Sequence, residues 1–184
     1  MIRRLLAFGR DPNRAIKEAL YSRIVAAARQ PAFYSAWNVP DTPLGRFEML
    51  SLHMFLFLHR LRHEEGATRV LAQDLVDDFF TDVDHSLREL GIGDMGVPKR
   101  MKKLARMFYG RAATYGAALD AGDAPALAAA LLRNVRPDRK EWPEASMLAA
   151  YALAADRGLA AQPTDTIATG LIEYPVAGAS GGEA

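Results

Sequence analysis

The 184-residue chain fits one domain and is long enough to enclose a core without metal or disulfide staples. Its 50% hydrophobic and 24% charged residues are an ordinary globular mixture, far from the signature of a disordered chain. The lack of cysteine excludes thiol nucleophiles, Cys-based zinc sites, iron–sulfur clusters and disulfides, and a net charge of +1 argues against a generic nucleic-acid binder.

The first ten residues, Met1-Ile2-Arg3-Arg4-Leu5-Leu6-Ala7-Phe8-Gly9-Arg10, begin like a signal peptide, but Arg10, Asp11 and Pro12 interrupt the apolar stretch before an h-region forms. A cytoplasmic protein is therefore expected, with residues 1–10 either a frayed end or a short basic segment touching anionic lipid and so peripheral on the inner membrane. The most membrane-like run, Met54 to Leu58, falls far short of the roughly 20 apolar residues that cross a bilayer.

From Asp11 onward every long segment has helical period, and alternating β-branched runs are missing. Helix one is predicted from Asp11, an N-cap followed by Pro12, to Arg29, where Pro31 stops it. The aromatic and proline-rich stretch from Phe33 to Pro43 reads as an ordered loop. Helix two, Pro43 to His63, is apolar nearly all round and should be the buried central helix. Helix three, Ala67 to Leu90, pairs an apolar face with the acidic row Asp74, Asp77, Asp78, Asp82 and Asp84, and Gly91 is its natural terminator.

Helix four, from Val97 or Pro98 to Ala121, places Met101, Leu104, Ala105, Phe108, Ala112, Tyr115 and Leu119 on one stripe, with Lys99, Lys102, Lys103 and Arg106 opposite. Two Ala- and Leu-rich helices, Asp123 to Val135 and Glu144 to Gly158, and a short one near Thr164 to Leu171 complete the pattern. The fold predicted is all-α, a single-domain bundle of about six to seven helices over residues 11–175, with a disordered tail at 176–184.

Several motifs invite chemistry. Gly91-Ile92-Gly93-Asp94-Met95-Gly96 has the letters of a dinucleotide fingerprint, but a helix precedes it where that mechanism needs a strand, so a helix cap and tight loop is the better reading. Asp74, Asp78 and Asp82 are spaced as in the Asp-rich helices by which isoprenoid synthases hold magnesium and diphosphate. No second acidic motif faces them, and a solvated acidic face accounts for them more simply. His59 and His63 have the i,i+4 spacing of a metal pair with no third ligand in sight, and no Gly-x-Ser-x-Gly elbow exists for a serine nucleophile.

The basic stripe is harder to set aside. Between Asp94 and Asp120 there is no acidic residue, so helical neighbours cannot neutralise the cations. A single-sign stripe near a helix N-terminus suits acidic peptide, phosphate or lipid head groups. An RNA- or ribosome-surface binder would use the same residues.

The segment Leu87-Arg88-Glu89-Leu90-Gly91-Ile92-Gly93-Asp94-Met95-Gly96-Val97-Pro98-Lys99-Arg100-Met101-Lys102-Lys103, continuing to Phe108-Tyr109-Gly110-Arg111, resembles the signature of the ubiquinol–cytochrome c chaperone family. Asp41-Thr42, Gly45-Arg46-Phe47-Glu48-Met49-Leu50, Leu52-His53 and Leu132-Arg133-Asn134 are similar to it as well, so the resemblance runs from about Tyr21 to Pro175. It implies a helical, non-enzymatic assembly factor of the cytochrome bc complex that binds nascent or newly inserted cytochrome b, with the ribosome, an anionic membrane surface and a small partner protein as further contacts. It implies no cofactor, metal or small-molecule substrate. The partner-binding residues expected from stripe and signature together are Arg88, Asp94, Lys99, Arg100, Lys102, Lys103, Arg106, Tyr109 and Arg111. Phe33, Tyr34 and Trp37 are either an apolar surface for the client or plain core.

Overall fold

The structure, a computed structural model, describes residues 13–89 and 96–178, and within them eight helices and no strand. They are α1 (Arg14–Ala28), α2 (Pro31–Ser35), α3 (Pro43–Arg60), α4 (Gly66–Glu89), α5 (Val97–Ala121), α6 (Ala124–Val135), α7 (Ala145–Ala160) and α8 (Thr164–Ala168). The long helices follow the predicted periods, and α2 and α8 are single turns. Asp11, Pro12 and the glycine loop at 91–95 lie outside the described residues.

Local chemistry sets the ends. Thr42 caps α3, its hydroxyl accepting from the Gly45 N–H at 3.2 Å, with Pro43 opening the first turn. The carboxylate of Asp123 does the same for α6, accepting from the Ala126 N–H at 2.9 Å. Between α5 and α6, Gly122 at φ 63° supplies the left-handed residue that lets one helix end and the next begin at once.

The centre is α3, packed against α1, α4, α5, α6 and α7. Its Met49, Met54, Leu56 and Phe57 are fully buried among Leu75 and Phe79 of α4, Leu127 and Leu131 of α6, and Leu148 of α7. Each side chain of this size is worth about 1.5–3 kcal/mol when removed from water, so α3 organises the fold despite its own polar side chains. Its close seating is visible at Gly45, where a Cβ would stand 1.9 Å from the Pro40 carbonyl oxygen.

Two stretches differ from expectation. The predicted loop at 33–43 begins as α2, since Pro31 fixes a helical φ and the Ala36 N–H donates to the Ala32 carbonyl at 3.0 Å. Phe33 and Trp37 are core, stacked edge-on at 5.3 Å, and the Trp142 indole N–H donates to the Trp37 carbonyl at 2.9 Å. Beyond α8 the chain forms a strap over residues 171–178. Its Tyr174 hydroxyl donates to the His53 carbonyl at 2.9 Å, and Ala177, placed by sequence in the tail, is buried with its N–H donating to Gln30 Oε1 at 2.7 Å.

Candidate partner-binding surface

Helix α5 carries the surface. Phe108, Tyr115 and Leu119 anchor it in the core, and on the far side Lys99, Lys102, Arg106 and Tyr109 are exposed, the last at 57%. Arg100 and Lys103 are exposed too, but they point along α5's other flank, toward α3 and the end of α4. None of Lys99, Arg100, Lys102, Lys103 or Arg106 has an ion-pair partner among the described residues. The stripe is thus a true excess of positive charge, divided into an outer face and an inner one.

Nor do the carboxylates of α4 reach across to it. Asp82 accepts from the Tyr21 hydroxyl at 2.8 Å, and Lys17 stands 3.8 and 4.0 Å from Asp74 and Asp78, so the acidic row turns to α1. Among the described residues no group of His, Asp and Glu is arranged to hold a metal ion. Helix α3 ends at Arg60, which breaks the helical spacing of His59 and His63. His59 is buried with Nδ1 2.8 Å from Asp156 and Nε2 3.4 Å from Asp120, whereas His63 is exposed.

Three of the expected partner-binding residues stand apart from the stripe. Arg111 turns inward to a very short ion pair with Glu48, whose side chain is only 3% exposed, and so is committed to the protein's own interior. Burial pushes the Glu48 carboxyl up to about 7 against the opposing pull of Arg111. Arg88 pairs with Asp84 at 2.7 Å on the exposed face of α4, and Asp94 lies outside the described residues.

Beside the inner cations runs a feature that sequence reasoning missed. An open groove of about 870 Å³ lies between the end of α1 (Val25, Ala28, Arg29), the start of α3 (Pro43 to Leu50), the last turns of α4 (Asp82 to Glu89) and the first half of α5 (Arg100, Lys103, Leu104, Met107). Leu50, Leu87, Leu104 and Met107 look like core in a helical projection, yet each is only half-buried because four elements splay apart here. No signal in a single helix reports such a gap.

Comparison with known proteins places this geometry. Residues 35–174 match the family model described as Ubiquinol-cytochrome C chaperone, which is most of the chain. The chain belongs to that family. The crystal structure of the Cbp3 homolog from Brucella abortus is 62% identical to this chaperone-family protein and superposes with a TM-score of 0.84, covering 89% of this chain and 90% of that one. "Ubiquinol-cytochrome-c reductase complex assembly factor 1" of Xenopus laevis is 26% identical over 116 residues, 63% of this chain, and the match spans 58% of that relative's length. The family segment takes in α3 to α8, hence the cationic stripe and most of the groove, while α1, which supplies the wall with Arg29, precedes it. Among the described residues of this member of the family, no helix is long and apolar enough to cross a membrane.

Proposed function

We propose that this protein is a non-enzymatic assembly factor of the cytochrome bc complex, and that it holds newly made cytochrome b against the cationic side of α5. The observation that carries the reading is the exposure of Lys99, Arg100, Lys102, Lys103 and Arg106 without ion partners among the described residues. The names of the family and of the Xenopus laevis relative, a chaperone and a reductase complex assembly factor, support the process. A newly made membrane protein presents apolar segments with charged ends, and a receiver needs an apolar recess beside unneutralised charge; both stand together here.

The test reverses the outer cations alone. Lys99→Glu, Lys102→Glu and Arg106→Glu, all on exposed positions, should alter stability by no more than about 0.5 kcal/mol each. In a deletion strain the triple variant should accumulate as the wild type does and fail to restore the spectral signature of the assembled complex, with cytochrome b no longer co-purifying. Full restoration would remove the stripe from the site.

A further inference from the structure

Arg100 and Lys103 stand on a groove wall, not on the outer side of α5, and what lies between them and α3 has its own chemistry. The floor is apolar, with Phe47, Leu50, Leu104 and Met107, and the groove is open along one side, where Leu44 is 49% exposed at the lip. Apolar surface left wet in this way is stabilised by any apolar face that covers it. A lone acyl chain or small apolar ligand is held where most of its surface is covered and a few polar groups converge on it, and here the charged groups stand on the rim and not at the floor. An open trough fits one face of a helix and leaves the other in solvent.

Charge then gives the occupant its sign. Of the rim carboxylates, Asp41 is paired with Arg46 at 2.6 Å, while Asp82 accepts from the Tyr21 hydroxyl at 2.8 Å and Glu89 stands 3.5 Å from His85 Nε2, contacts that satisfy these oxygens without cancelling their charge. Arg29, Arg100 and Lys103 have no ion-pair partner among the described residues and outnumber Asp82 and Glu89, so the rim keeps a net positive charge, gathered on its α5 wall at Arg100 and Lys103. We infer that the groove between α1, α3, α4 and α5 docks an amphipathic helix of a partner polypeptide whose apolar stripe is bordered by Asp or Glu. The inference rests on the reading of the protein as a holder of polypeptides and adds the form and sign of the segment held.

The full chain is titrated with a fluorescein-labelled peptide of about 18 residues, long enough for a helix that spans the trough, carrying Leu at i, i+3, i+4 and i+7 with Glu alongside. A second peptide has Lys in place of Glu, and a third is a scramble of the first. The Glu peptide should bind at least about tenfold more tightly than the Lys peptide, and the scramble should not bind. Arg100→Glu with Lys103→Glu, both on exposed side chains, should reverse that preference, and Leu44→Glu should weaken both complexes; circular dichroism checks that the helices persist. Equal affinity for the two peptides, or binding unmoved by the Arg100 and Lys103 reversals, overturns the inference. So does failure of all three peptides, and binding of mixed phosphatidylcholine–phosphatidylglycerol vesicles in their place would make the groove a lipid-facing surface. Because Lys99 and Lys102 face away from the groove, Lys99→Glu with Lys102→Glu should weaken the Glu peptide far less than the Arg100 and Lys103 reversals do, so peptide binding retained alongside lost assembly in the cell separates failure at one site from failure at the other.

Discussion

Arginine is used in two opposite ways along one helix, and the difference lies in what surrounds each guanidinium. Arg106 is exposed and unpaired among the described residues, whereas Arg111, little more than a turn later, is half-buried and paired with the buried Glu48. Removing one member of a buried pair strands the other, so Arg111→Ala should cost about 3 kcal/mol in denaturant unfolding, while Arg106→Ala should move the midpoint hardly at all. Glu48 and Ser51 each leave a buried oxygen without a partner among the described residues, beside a cavity of about 10 Å³, the room one water molecule requires. The two perturbed groups of α3 oppose each other in pH. Glu48, raised from 4.5 to about 7, contributes stability that is complete below pH 4.5 and is lost as pH rises through about 7. His53, lowered by burial from 6.5 to about 4, contributes stability that is present above pH 6.5 and is lost as pH falls through about 4. Where the two windows overlap, between pH 4.5 and 6.5, the slopes partly cancel. Glu48→Gln should unmask the histidine, giving a protein whose unfolding midpoint climbs between pH 4 and 6.5 more steeply than that of the wild type.

Among the elements, α3 depends on a single glycine for its approach to the chain that leads into it. Gly45→Ala would drive a methyl group into the Pro40 carbonyl, and the shift needed to relieve it should cost about 2 kcal/mol, read as a lowered melting midpoint. The same variant displaces Leu44 and Arg46 at the groove mouth, so peptide binding should weaken with it. The helices themselves were legible from period and caps: the acidic and cationic faces of α4 and α5, and the apolar girth of α3, follow from spacing alone. What spacing did not reveal is what each polar residue meets. Arg111 looks like one more cation of the signature until α3 is laid beside it, and Leu104 looks like core until α1 and α4 are seen to stand away from it. Phe33 and Trp37 left two readings open, and burial against Tyr151 decides for core. Tertiary neighbours, not local propensity, choose between these roles.

At the scale of the whole molecule, the strap that follows α8 is tied back to α3 and to the end of α1. The strap joins residues far apart in sequence: Tyr174 to His53, and Pro175 and Ala177 to Gln30, where Gln30 Nε2 donates to the Pro175 carbonyl at 3.0 Å. Contacts with such long loops form late in folding, because their closure entropy must be met before they return any stability. Gln30 immediately follows the turn that ends α1, the helix that closes one side of the groove. The latch lies 145 and 147 residues downstream of Gln30, so the first helix gains these bonds only after everything between them has been made. The α1 wall of the proposed docking groove is thus tied down by residues that follow all of its other walls in the sequence.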